Sequence, residues 1–545
     1  MRSSPSSAIC SRLCRRRRPE PEYMTELEES ARLLYRGPDW DYRKLKRVHD
    51  AIERIAHEEL GLDTYPNQIE VISSEQMLDA YASLGMPLFY RHWSFGKHFA
   101  RDEMHYRKGL TGLAYEIVIN SSPCISYVME ENTMTMQTLV IAHAAFGHNH
   151  FFKNNQLFRT WTDAEGILDY LDFAKSYIAQ CEERYGVREV ERLLDAAHAL
   201  MSHGVHRFPR RGRLNLRQER EREEERRRYL EATFNDLWRT VPTPESGGEV
   251  DPELRALEAR QERLGLPEEN LLYFLEKRAP RLQHWQREVL RIVRQVAQYF
   301  YPQKQTKVMN EGCATTVHYY IMNRLHESGR IDDGAYMEFL HNHTNVVTQP
   351  EFDDPRYSGI NPYALGFDIL QDLKRICEAP TEEDRRWFPD IAGNGDPIGT
   401  WRHAWAEYRD ESFIMQFLSP RMMRRWRLFR VHNDAEDPDL EVTAIHDEAG
   451  YRELRKSLAA QYDLARHEPD IQVVDVDLVG DRKLILEHRV VDGVLLDVST
   501  GMQVLRHLAN LWGYAVILQE VDAVSGRVVN EYPEVAPDHP FVNGA

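Results

Sequence analysis

Residues 134–152 constrain the fold more than any other stretch of this chain. The run is mostly apolar and has no Asp, Glu, Lys or Arg, yet it carries His143, His148 and His150 within eight residues. A helix of that composition must be buried. Its imidazoles then need partners, because a buried polar group left without a hydrogen bond costs about 1–3 kcal/mol. Just upstream, residues 113–130 alternate as two strands around Asn120-Ser121-Ser122-Pro123 and read as a hairpin. A later helix, 305–328, brings Asn310, Glu311 and His318.

Hairpin, histidine helix and Asn-Glu helix follow one another in the order used by gluzincin metalloproteases, whose motif is His-Glu-x-x-His with a distant Glu. The spacing differs here. Histidines four apart lie about 400° around a helix and share a face, whereas five apart gives about 500°, which separates them by roughly 140°. His143 and His148 are five apart, so one ion takes both only if the helix breaks or bulges between them, and Gly147 is the candidate position. Ala144 also stands where a zincin carries its general base. A metal site built from His143, His148, Glu311 and His318 is one expectation, with Zn first and Mn or Fe as alternatives. A second is a polar core layer in which these groups hydrogen-bond to one another, and a third is an acid/base site without a metal. Glu311 and His318, seven apart, lie about 10 Å from each other along the axis, so one of them can instead orient a histidine ligand.

Glu116, Glu130 and Glu131 flank the hairpin, and Glu131 or Glu116 is the candidate general base. His92 lies in a loop-like aromatic and basic stretch, 90–97, while His341 and His343 end a helix predicted at 331–342. No P-loop or Gly-x-Gly-x-x-Gly fingerprint occurs between a strand and a helix, so nothing supports nucleotide binding at such a motif.

The whole chain has 545 residues and a formal charge of −18, from 69 Lys+Arg against 87 Asp+Glu. That balance opposes a general nucleic-acid or anionic-membrane binder. No apolar run approaches the roughly 18–20 residues of a membrane span. Six cysteines are too sparse for a disulfide framework. Arg15–Arg18 resemble a signal-peptide start, but no apolar segment follows, so a cytoplasmic location is expected. Residues 1–23 read as a disordered extension, with Met24 a candidate true start.

The predicted class is α+β. Residues 24–430 form a mainly helical domain with further helices at 40–60, 163–184, 187–202, 280–300 and 362–378. The Arg/Glu-rich stretch 210–228 reads as a solvated helix, and 242–251 as a linker. Residues 431–530 give the order β-α-β-β-α-β, which predicts a ferredoxin-like domain with a four-stranded antiparallel sheet. Residues 531–545 are a tail.

Several long motifs carry a family resemblance. They are Gly-Leu-Ala-Tyr-Glu-Ile-Val-Ile-Asn, Met-Glu-Glu-Asn-Thr-Met, Gln-Tyr-Phe-Tyr-Pro-Gln-Lys-Gln-Thr, Met-Asn-Glu-Gly and Ser-Gly-Ile-Asn-Pro-Tyr-Ala-Leu-Gly-Phe, together with Gly-His-Asn-x-Phe-Phe-Lys-Asn-Asn, which ends at Asn155. The chain resembles the SpoVR family, stage V sporulation protein R and its proteobacterial homologues, over about residues 25–525. The resemblance implies a role in spore cortex formation, or in stress and stationary-phase physiology. It also implies partnership with a PrkA-type serine kinase and a von Willebrand A-type protein. His143, His148, Asn154, Asn155, Glu311, His318, His341 and His343 fall on family-motif positions and His150 does not. Cys313 and Val317 stand where the family pattern leads one to expect aromatic residues. Two functions therefore compete: a metal-dependent hydrolase, and a non-catalytic regulator or scaffold.

Overall fold

The computed structural model describes residues 33–82, 90–94, 97, 104, 116–207, 264–351, 354–432, 441–444, 446–477 and 480–541. The expected extension 1–23, the charged stretch 210–228 and the linker 242–251 lie outside these residues. The class is α+β with predominantly helical content.

Helix α1, Tyr42–Arg54, buries Leu45, Val48 and Ile52 at helical spacing, and the Asp41 side chain caps it by accepting the Lys44 N–H at 2.8 Å. A three-stranded sheet follows, with β1 Asn67–Ile72, β2 Glu116–Ile119 and β3 Cys124–Met129 in the order β1-β3-β2. Strands β2 and β3 are the expected hairpin, registered Glu116 opposite Val128, and β1 lies parallel to β3. The alternation along β2 points Ile117 and Ile119 into the protein and Glu116 the other way, toward the next helix.

That next helix is a single buried rod: α2 Met134–Ile141, a π-helical turn Ala142–His148, and α3 Asn149–Asn154. Every residue from 136 to 152 is buried. Helices α4 Ile167–Tyr185, α5 Val187–Ala199, α6 Leu271–Arg278, α7 His284–Gln305, α8 Lys307–Glu327, α9 Asp333–Val346 and α10 Pro362–Glu378 follow. Shorter helices α11 Glu382–Trp387 and α12 Asp410–Phe417 lead to α13 Glu448–Ala460.

Helix α8 runs through the middle of the first core, and glycines let its neighbours approach. A Cβ on Gly147 would lie 2.5 Å from Ala314 Cα, and one on Gly366 would lie 2.3 Å from the Val308 carbonyl oxygen. Only a hydrogen side chain fits there, so the π-turn and α10 press directly on α8.

The C-terminal region departs from the ferredoxin-like expectation. Strand β5, Glu441–Ala444, pairs with β4, Arg430–His432, as a separate two-stranded ribbon. Helix α13 gives Tyr451, Leu454 and Leu458 to the first core. The four-stranded sheet is instead β6 Asp470–Val476, β7 Leu484–Val490, β8 Val516–Asp522 and β9 Val528–Glu531, in sequential order. It is mixed: β7 and β8 are parallel, joined by helix α14 Val498–Trp512, and the outer pairs are antiparallel. The fourth strand comes from beyond residue 525 because Asp522 accepts the Ser525 N–H at 2.6 Å and Gly526 takes φ +67°, turning the chain back on itself. No helix among the described residues is long and apolar enough to cross a membrane.

Candidate functional site

The π-turn resolves the histidine spacing. Its wider i→i+5 turn brings residues five apart onto one face, and the His143 and His148 rings meet edge-on with centroids 4.6 Å apart. Helix α8 supplies Glu311 opposite them, and its Oε2 lies 3.6 Å from His143 Nε2 and 3.6 Å from His148 Nε2. From β2, Glu116 Oε1 approaches His143 Nε2, also at 3.6 Å. Glu116, His143 and His148 each offer a donor atom within 4.8 Å of the others. Three elements, a strand, a π-turn and a helix, thus aim four side chains at one point.

Those separations are too long for hydrogen bonds. His143 Nε2 and Glu311 Oε2 are buried with no hydrogen-bond partner. Donors arranged tetrahedrally around one ion at about 2.0–2.2 Å stand about 3.3–3.6 Å from each other, so the observed spacing fits a small divalent cation. The imidazoles are nearly sealed, at 4% and 7% side-chain exposure, while Glu116 and Glu311 keep 15% and 17%. The two glutamate side chains are thus less sealed than the imidazoles.

The surroundings fix the rings. His148 Nδ1 lies 2.8 Å from the Asn310 side-chain oxygen, which accepts, so the proton sits on Nδ1 and Nε2 presents its lone pair. His143 Nδ1 is 2.9 Å from His318 Nδ1, and His318 Nε2 is 2.9 Å from His343 Nδ1. Neutral imidazoles satisfy this chain in either direction; an ion on His143 Nε2 requires the one in which His143 donates to His318, which donates to His343. That assignment leaves His143 Nε2 without a proton. It also occupies both nitrogens of His318, so His318 orients His143 and has no lone pair for an ion.

The charges separate the roles of the two carboxylates. Burial pushes the Glu116 carboxyl up, with His143 opposing and Glu311 adding to the rise. Burial acts the same way on Glu311, but the His143 and His148 imidazoles and the Tyr363 hydroxyl overcome it and hold Glu311 low. Burial pushes His148 down to about 4, so its ring is neutral at pH 7. His143 is favoured in its charged form despite burial, because it faces Glu311 and Glu116. The site as a whole calls for one positive charge.

Other candidates lie elsewhere. Glu131 is exposed and accepts the Ser74 N–H at 3.2 Å, away from the imidazoles. His150 pairs with the Asp63 backbone, whose N–H donates to Nδ1 at 2.9 Å. Asn154 donates to the Asp63 carbonyl, and Asn155 caps the helix Gln156–Trp161 and donates to the Trp405 and Tyr408 carbonyls. His341 is exposed beside Asn345, and His92 sits between Ser94 and Asp195. Sequence reasoning passes over Tyr363, which reads only as part of a Gly/Pro turn. Its position one residue after Pro362, at the start of α10, is the available signal.

The chain matches the family described as SpoVR like protein over residues 39–467, and the SpoVR-like C-terminal domain over 469–523. It is 56% identical over 484 residues to "Uncharacterized protein YcgB" of Escherichia coli (strain K12), covering 89% of this chain and 93% of that relative. No solved structure matches it.

Proposed function

Since the chain belongs to the SpoVR family, and its histidines and carboxylates converge as described, we propose that it is a metal-dependent hydrolase acting on a peptide, amide or cell-wall-related bond. The observation that carries this reading is the convergence of His143 Nε2, His148 Nε2 and Glu311 Oε2, two of them buried without a hydrogen-bond partner, at ion-sharing distances. His143, His148 and Glu311 are the ligands, a two-histidine, one-carboxylate set that suits zinc in an open catalytic site and also suits Fe(II). Bound there, a divalent ion supplies a Lewis acid for a carbonyl oxygen and lowers the pKa of a water.

Glu116 takes the part that a zincin assigns to the residue after its first histidine, which is Ala144 here. Its side chain is less sealed than the imidazoles, and its raised proton affinity favours accepting a proton and returning it to a leaving amine. His318 and His343 hold the orientation of the His143 ring and can accept its Nδ1 proton, which leaves Nε2 for an ion. The cellular setting proposed with this chemistry is cytoplasmic: spore cortex formation, or stress and stationary-phase physiology.

Elemental analysis of untagged protein tests the reading. About one Zn, Mn or Fe per chain is expected. His143→Ala and Glu311→Gln should fall to near zero, while Glu116→Gln keeps the metal. If the wild-type chain neither carries nor takes up any of the three ions, the hydrolase reading fails. A regulator working with a PrkA-type kinase and a von Willebrand A-type protein would then be the better account.

A further inference from the structure

Away from the metal-type cluster, helices α11 and α13 enclose a groove of about 640 Å³. In a chain of charge −18, its lining is cationic: Arg386 from α11, and Arg452, Arg455 and Lys456 from α13. Two carboxylates also line it, but both are engaged. Glu383 is held bidentately by Arg424, at 2.9 and 2.6 Å, and Glu448 pairs with Arg452 at 3.0 Å. The second pair is exposed on both sides and holds Arg452 only weakly.

Among the described residues, Arg386, Arg455 and Lys456 make no ion pair within 4 Å, although Arg386 lies close enough to Glu383 to add to the lowering of its carboxyl. Arg455 is the informative one. Its Nε and Nη2 both donate to the Leu418 carbonyl oxygen, at 2.9 and 2.6 Å. Its guanidinium lies over the Trp387 ring, 4.7 Å from the centroid, while Arg452 lies over the same ring at 5.4 Å. A carbonyl and an aromatic face fix the direction of the guanidinium without neutralising it. Burial and the nearby Arg452 push Arg455 down to about 10, a sign that its charge is uncompensated.

From this arrangement we propose that the groove between α11 and α13 binds a small phosphorylated ligand. Its phosphate would meet Arg455, Arg386 and Lys456, and its organic part would lie toward Trp387, Tyr451 and the exposed Met415. A planar, pre-oriented guanidinium backed by two further cations matches phosphate oxygens. The volume suits a ligand of nucleotide size. The proposal is independent of the metal-dependent chemistry, since none of its residues belongs to that cluster.

Calorimetric titration of the full chain with ADP, at low ionic strength and with a chelator present, tests it. One saturable site per chain is expected, weakened by added salt. The exposed double variant Arg386→Ala/Lys456→Ala, checked for an unchanged melting temperature, should bind roughly tenfold or more weakly. Arg455→Met should abolish binding. Pyrophosphate should compete. Absence of saturable binding, or equal binding by the double variant, overturns the proposal. So does a glutamate-rich peptide that binds the groove when ADP does not, because the surface would then be a protein-docking site.

Discussion

At the residue scale, the run Asn310-Glu311-Gly312 gives three neighbours three different tasks. Asn310 fixes the His148 tautomer, Glu311 faces both imidazoles, and Gly312 lets α10 touch α8. The closeness of that helix pair positions the site, so it should be sensitive to a single methyl group. Gly366→Ala would place a Cβ 2.3 Å from the Val308 carbonyl oxygen and 2.7 Å from Gly312 Cα, both backbone atoms that cannot swing aside. We expect a loss of about 1–3 kcal/mol in thermal or denaturant unfolding, together with loss of bound metal, because α8 and its Glu311 must move. The sequence made the histidines, Glu311 and the awkward spacing near Gly147 legible, since each stands out against an apolar background. It did not separate ligand from supporter at His318. Seven residues from Glu311 on the same helix face, that ring shares the direction of a ligand, and only the tertiary placement of His343 and of the His143 Nδ1 edge shows both its nitrogens occupied.

At the element scale, the π-turn Ala142–His148 behaves as one extra residue inside an otherwise α-helical rod. Deleting Ala145 should let the segment relax to α-helix with its histidines four apart and still on one face. Metal content should survive that deletion, whereas inserting a further alanine at the same point should abolish it; metal analysis of the two variants, with circular dichroism to confirm folding, checks the pair. Helix α8 has its own point of control at the other end. Asp410 accepts the N–H groups of Val308 and Met309, at 2.9 and 2.8 Å, and so caps the helix that carries Glu311. Burial pushes the Asp410 carboxyl up to about 7, with those N–H groups opposing. A carboxyl raised above its unfolded value binds its proton more tightly when folded, so its contribution is full below about pH 4 and is lost as pH rises toward 7. Between those limits wild-type stability should fall relative to Asp410→Asn by a few kcal/mol, because each tenfold gain in proton affinity on folding is worth about 1.4 kcal/mol. Denaturant unfolding of both proteins at a series of pH values reads that slope, and parallel curves would show that Asp410 is not responsible.

At the scale of the whole molecule, the sequence showed most of the C-terminal strands but missed β1 and β9, and it did not show how the C-terminal strands pair. Residues 440–446 and 514–520 both read as strands, and alternation alone does not say that the first joins β4 while the second lies parallel to β7. The partner is decided by the core each segment faces. Helix α13 turns Tyr451, Leu454 and Leu458 into the first core. The sheet β6–β9 and α14 place Val473, Leu484, Leu486, Leu508, Trp512 and Leu518 in a second core shared with Leu193, Leu272, Phe274 and Val289 of α5, α6 and α7. Hydrogen bonds cross the same junction: the Glu268 and Val473 backbones exchange N–H···O bonds at 3.0 and 2.9 Å, and the Arg192 side chain of α5 donates to the His539 carbonyl at 2.7 Å. The Phe274 and Trp512 rings meet at 5.8 Å. The stretch 469–541 therefore shares its core with α5–α7, and cutting those helices away exposes the apolar side chains that face them. Produced alone, it should show little native secondary structure by circular dichroism and poor dispersion in its amide spectrum. The same sheet within the full chain should unfold together with α5–α7 in hydrogen exchange. A well-dispersed spectrum from the isolated segment would show instead that the sheet and α14 suffice, and that the shared core is an interface between two independently stable parts.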